Sequence, residues 1–295
     1  MPRDIVLDFG CNQMFVTDLL KNKKILITGG GSGLGKSFGA RLAELGAELV
    51  ICGRRADVLE TTASEFRAAT GAKVATVVCD VRDAAAVEEM FTRIWNDGPL
   101  DALINNAAGN FIARTETLSP RAIDAVLDIV LHGSFYCSVA AGKRWIAEGR
   151  GGCILSVVSA AANAGRAFTV PSAAAKAGVL AMMKSLAVEW GPHGIRTVSV
   201  APGLFPTKAA WSQLYPEGSK LLTEEMEVPL RRTGQHEEIA NLVAYLLSDG
   251  ASYINGDCIT IDGGRDLQNG GGSGVMGLFS WTPERWEAFR AGSRA

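Results

Sequence analysis

Residues 24–35 read Lys24-Ile25-Leu26-Ile27-Thr28-Gly29-Gly30-Gly31-Ser32-Gly33-Leu34-Gly35, and the fold is decided here. The apolar run lacks polar alternation, which suits a strand covered on both faces, as in a parallel sheet. The glycines after it let the backbone turn sharply and approach a bound anion. Leu34, Phe38, Leu42 and Leu45 then recur near a 3.6-residue period, predicting an amphipathic helix over Lys36–Ala47. A strand, a glycine-rich turn and a helix in this order place a pyrophosphate at the positive helix N-terminus.

Further apolar runs follow the same plan: ELVICG from Glu48, KVATVVCD from Lys73, ALINNAAG from Ala102, CILSVVS from Cys153, IRTVSVAPG from Ile195 and CITIDGG from Cys258. Strands alternating with helices cross over right-handedly, so the expectation is an α/β fold. It is a doubly wound, Rossmann-like parallel sheet in a single domain over residues 23–266, with no internal repeats. Residues 1–22 read as a lead-in packed through Phe15, Leu19 and Leu20. Residues 267–295 read as a Gly-rich linker and a short C-terminal helix. Thr282-Pro283-Glu284 there has the form of a cap with Pro at the first helical position. Trp286 and Phe289 on that helix call for cover by the body or a neighbouring subunit.

With 295 residues, 47% hydrophobic and 20% charged, the chain suits one large globular domain. The formal net charge is −2 and no block of like charge occurs, so nothing predicts a nucleic-acid partner. Anion binding must then come from local placement of Arg and Lys. Cys11, Cys52, Cys79, Cys137, Cys153 and Cys258 lie far apart and never form CxxC, which predicts reduced, inert thiols and no metal site. The N-terminus lacks a signal peptide's basic start and apolar core, and no stretch reads as a bilayer span, so the expectation is a soluble cytoplasmic protein with no membrane partner.

The turn's spacing is TGxxxGxG rather than GxGxxG, and in this it resembles the short-chain dehydrogenases/reductases. Asp80-Val81, Asn105-Asn106-Ala107-Ala108-Gly109 and Pro202-Gly203 extend the resemblance over roughly residues 24 to 264. It implies a nicotinamide dinucleotide held by Gly29, Gly31, Ser32, Gly33, Leu34, Gly35, Asp80, Val81, Asn106, Ala107, Ala108, Gly109, Pro202, Gly203 and Lys176. An acidic residue at the end of the second strand would bind the adenosine ribose hydroxyls of NAD. Gly53-Arg54-Arg55 stands there instead, so the expected cofactor is NADP(H), its 2′-phosphate on Arg54 and Arg55. The plainer alternative is that both arginines are only solvated surface residues.

The family carries Tyr-x-x-x-Lys on a helix, with a Ser thirteen residues before the Tyr. Here Lys176 is kept, Ser172 stands at the Tyr position and Ser159 lies thirteen residues upstream. A subgroup makes this replacement. Ser172–Gly178 (SAAAKAG), Asn106–Phe111 (NAAGNF), Asp128–Leu131 (DIVL), Glu189–Gly191 (EWG) and Tyr253–Gly256 (YING) together resemble the 2,4-dienoyl-CoA reductases. The resemblance implies NADPH-dependent reduction of a conjugated acyl-CoA thioester, with negative charge developing on the thioester oxygen. Asn110 would donate to that oxygen, Lys176 would hold the nicotinamide ribose, and Ser172 would contact the substrate or a water.

Two departures stand out. The Tyr that the mitochondrial-type and many bacterial members carry eleven residues before the Ser of SAxAK is Ala161 here. The Asp of the peroxisomal type is Val130, with His132 nearby. Plainer readings sit beside each assignment: Asn110 in a turn, Ser172 as a helix cap after Pro171, His132 packed on its helix, Tyr136 in the core. Another enoyl or carbonyl reductase, or a silent NADP(H)-binding member of the family, are the rival functions. The family's habit of assembly implies a homotetramer through the long helices Ile123–Arg144 and Ser172–Trp190.

Overall fold

The structure is a computed structural model and describes residues 15–207, 228–268 and 282–292. Its centre is strand β1 (Lys24–Thr28), every residue of which is buried. Leu26 pairs with Val50 of β2 (Glu48–Gly53) on one side and with Leu103 of β4 (Ala102–Asn105) on the other. Beyond them lie β3 (Val74–Val78), β5 (Gly152–Val157), β6 (Ile195–Pro202) and β7 (Cys258–Ile261). All seven pair in parallel, in the order β3-β2-β1-β4-β5-β6-β7.

Each face of the sheet is covered by helices, which explains strands apolar on both sides. On one face α1 (Gly33–Glu44), α2 (Ala56–Thr70) and α8 (His236–Leu247) bury Phe38, Leu42, Leu59, Ile239 and Val243. On the other, α3 (Ala84–Asn96), α5 (Gly133–Ala147) and α7 (Val170–Trp190) bury Phe91, Trp145 and Met183. The doubly wound plan expected from the sequence is therefore the observed one. The short helices α4 (Pro120–Leu127) and α6 (Ala161–Ala164) lead into α5 and α7.

The helix expected over Ile123–Arg144 differs in detail. Between α4 and α5, residues Asp128–His132 form a π-turn. Gly133, just after it, packs so closely on Val81 that a Cβ there would lie 2.7 Å from Val81 Cγ2. A local widening of this kind leaves no mark in apolar periodicity. The run Pro120–Ala147 also corrects the expectation of no bilayer-length stretch: it is long and apolar enough, and half of its most apolar window is buried inside the fold. Burial of Cys137, Ala141 and Trp145 against the sheet accounts for its composition.

In the lead-in, Leu20 is fully buried, with its N–H bonded to Leu45 O at 2.8 Å, and Phe15 and Leu19 pack on the same core. The tail helix forms as α9 (Pro283–Gly292), with Thr282 Oγ1 accepting from Arg285 N. Trp286 is partly covered; the Phe289 side chain and the Gly-rich run after Asn269 lie outside the described residues. Cys52, Cys79, Cys137 and Cys153 are buried and free, Cys258 is half-buried and free, and Cys11 is outside the described residues. Burial pushes the first four thiols well up, which leaves them largely protonated and unreactive.

Candidate active site

The strand order reverses between β1 and β4, and a cavity of about 810 Å³ opens at the carboxyl ends of the strands. One end is built by the turn after β1. Gly29 and Gly33 have φ of +66° and +55°, which side chains disfavour. A Cβ on Gly35 would sit 2.5 Å from Gly29 O, so only hydrogen fits there. Gly29, Gly31, Ser32 and Leu34 line the cavity, whereas Gly33 and Gly35 shape the turn without facing it.

The turn is fastened from β1 and the loop after β4. Thr28 Oγ1 donates to Ile104 O and accepts from the N–H groups of Asn106 and Ala107. Asn106 Nδ2 returns a bond to Thr28 O at 2.9 Å. The asparagine of the NNAAG segment thus acts first on the turn's shape. Asn106, Ala107, Ala108 and Gly109 all border the cavity, as do Asp80, Val81, Pro202 and Gly203. Asp80 is engaged with Arg82, whose guanidinium lies 2.5 Å away and holds the carboxyl below its ordinary range. Arg54 and Arg55 are exposed and line the same end.

Lys176 and Ser172 lie one turn apart on α7 and line the cavity together with Asn110, Ser159 and Ala161. The Lys176 ammonium is buried and donates to Val157 O; burial pulls its pKa down to about 8. Asn110 Oδ1 accepts from Phe111 N at 2.9 Å, a local bond to the next residue, and its amide N–H groups have no partner among the described residues. Asn110 therefore sits in the loop after β4 with a donor to spare. Ser172 is not a cap: the N-cap of α7 is Thr169, and Ser172 sits inside the first turn with its side chain toward the cavity.

His132 lies outside the site. It is half exposed, pairs with Asp128 at 2.9 Å and stacks on Tyr136, which is partly buried. Val130 is core and Ala161 presents only a methyl group, so no phenol or carboxyl stands at either familiar proton-delivery position. Arg166, Thr207, Asp262, Arg265 and Asp266 also line the cavity. They belong to no motif, and only the fold brings them together.

The model of the family described as Enoyl-(Acyl carrier protein) reductase matches residues 29–266. A protein of Bacillus subtilis (strain 168) named "Probable 2,4-dienoyl-CoA reductase" is 47% identical over 251 residues, covering 84% of this chain and 98% of that one. "Probable 2,4-dienoyl-CoA reductase 3" of Caenorhabditis elegans is 42% identical over 282 residues, covering 94% and 91%. The crystal structure of a short chain dehydrogenase from Bacillus anthracis superposes with a TM-score of 0.75 at 45% identity, covering 82% and 96%. The glycine cradle at the N-terminus of α1 and the adjoining cavity fit the dinucleotide such enzymes use. By fold, cradle and these matches, the chain belongs to the short-chain dehydrogenase/reductase family, oxidoreductases that work with a nicotinamide cofactor.

Proposed function

We propose that the protein reduces conjugated acyl-CoA thioesters with NADPH, as a 2,4-dienoyl-CoA reductase. The observation that carries this reading is one cavity holding the Lys176 ammonium and the spare amide of Asn110, with serine in place of the usual phenol. A carbonyl reduction needs an acid at the new alcohol. A dienoyl thioester needs donors at the oxygen where charge develops, a task the asparagine amide suits. The relatives' names support the same substrate class.

When bound, the dinucleotide supplies the hydride. The chain's own part is to hold and polarise. Arg54 and Arg55, with no acid among them, favour a 2′-phosphate through guanidinium contact. Lys176 adds positive potential beside the reacting face, and Asn110 donates to the thioester oxygen. A positioned general acid is worth about 10²–10⁴ in rate, and orientation alone contributes about 7–11 kcal/mol. A reductase taking its proton from water thus keeps most of its catalytic power. Assembly as a homotetramer belongs to the same reading, supported by Phe135 on α5 and Val188 on α7, apolar and exposed.

The test is NADPH oxidation with a 2,4-dienoyl-CoA, a 2-enoyl-CoA and a simple ketone. Turnover on the dienoyl ester that falls at least 100-fold in Lys176→Ala is the expected result. Turnover on the ketone alone would sink the assignment. A second reading, a silent dinucleotide-binding protein, is favoured by Ala161; tight NADPH binding without turnover on any of the three would select it. In Arg54→Ala, the preference for NADPH over NADH should shrink by about tenfold or more, the scale of a charge-assisted phosphate contact.

A further inference from the structure

His236 is the first residue of α8, and its ring bridges two elements of the cofactor site. Nε2 lies 2.8 Å from Pro206 O, and Nδ1 lies 2.7 Å from Ser37 Oγ. A carbonyl only accepts, so Nε2 carries the proton; in the neutral ring Nδ1 accepts from the Ser37 hydroxyl. Ser37 Oγ is also 3.2 Å from Gly33 O, which places this contact at the glycine cradle itself. One imidazole therefore ties the segment after β6 to the helix whose N-terminus forms the cradle.

The surroundings show why this tie matters. Pro206 has no N–H, so its carbonyl is the one backbone group by which it is held. Thr207 follows it, lines the cavity and lies over the cradle, its Cγ2 3.6 Å from where a Gly33 Cβ would be. The histidine itself is presented from a firm base. Glu238 Oε2 accepts from Gln235 N at 2.7 Å at the start of α8, Arg232 pairs with Glu238 at 2.6 Å, and Gly234 N bonds to Leu204 O at 2.9 Å. At the other end of the segment, Gly203 N bonds to Ile261 O at 2.9 Å. Residues 204–207 are thus pinned by β7 at one end and by His236 at the other.

We propose that His236 is a positioning residue for the dinucleotide: it sets the Leu204–Thr207 wall against the glycine cradle before the cofactor enters. A wall already in place spares the ordering cost of binding. The inference rests on the family's nicotinamide cofactor and is independent of the thioester reading.

The experiment is NADPH titration by fluorescence on the full chain, with a melting curve and amide exchange for each variant. His236→Ala should raise Kd about tenfold, the worth of roughly one such tie, and speed exchange at the Phe205 and Thr207 amides. His236→Gln places an amide N–H where Nε2 was and should recover most of the affinity. His236→Asn, which reaches only toward Ser37, should not. Ser37→Ala, which keeps the Pro206 bond, should cost about two- to threefold, a few tenths of a kcal/mol. Unchanged Kd in His236→Ala overturns the proposal. If that variant melts too low to titrate, equal losses in His236→Gln and His236→Asn overturn it, and rescue by Gln alone upholds it.

Discussion

Lys176 stands one helical turn beyond Ser172 and shares its cavity with Ala161, a methyl group where the resemblance to the 2,4-dienoyl-CoA reductases implies a phenol. The vacancy is chemical rather than architectural, because Ala161 still borders the cavity from its own short helix. Putting the phenol back should therefore add an acid to a site otherwise built. Ala161→Tyr is expected to raise kcat on a dienoyl thioester by about 10–100-fold, toward the lower end of what general acids contribute. Steady-state kinetics decides it; no gain would mean that protonation is not the slow step. At this scale the sequence was legible wherever a motif fixed the neighbours. Lys176, Asn110 and Arg54 were named from short patterns and share one cavity. Arg166 and Thr207 were not, because nothing local marks a residue that chain folding alone brings to the wall. His132 follows the plainer of its two readings, a histidine packed on its own helical run, with its ring on Asp128 and Tyr136.

Among elements, the strands were plain because both their faces are buried and their apolar runs are unbroken. Helix limits were less so. The period suggested Lys36 as the start of the first helix, yet α1 begins at Gly33. Glycine has poor intrinsic preference for a helix, and here the turn's fastening by Thr28 and Asn106 overrides it. The same geometry yields a prediction for the element as a whole. Gly35→Ala would drive a methyl group to within 2.5 Å of Gly29 O, a backbone atom that cannot swing aside. The turn must open, with a stability loss of about 1–3 kcal/mol, as overpacking typically costs. NADPH affinity should fall with it by tenfold or more, since the displaced carbonyl belongs to the cradle. Urea unfolding and NADPH titration of the variant measure the two effects separately. Wild-type behaviour in both would mean that the turn is softer than its packing implies.

At the scale of the molecule, the parallel order buries the Lys176 ammonium at 8% exposure, with a single backbone carbonyl as its partner among the described residues. Desolvation lowers its pKa from 10.5 to about 8. The sign of the linkage follows from proton counting. Below pH 8 both folded and unfolded chains hold the proton, and the folded state bears the whole cost of a buried charge. Between pH 8 and 10.5 the folded chain releases the proton while the unfolded chain keeps it, so stability rises with pH over that window. The difference amounts to about 3 kcal/mol at 1.36 kcal/mol per tenfold change in proton affinity. A residue retained at such a cost is what a binding site requires and a core does not. Lys176→Met should therefore be the more stable protein at pH 7.5, by about 2–3 kcal/mol, and should lose this share of the rise toward pH 10.5. Urea unfolding of both proteins at the two pH values tests it, because every other lysine contributes equally to each. A wild-type rise no steeper than that of the variant would mean that water reaches the ammonium, and that the cavity's polar end is wetter than the packing of Val157 and α7 around it implies.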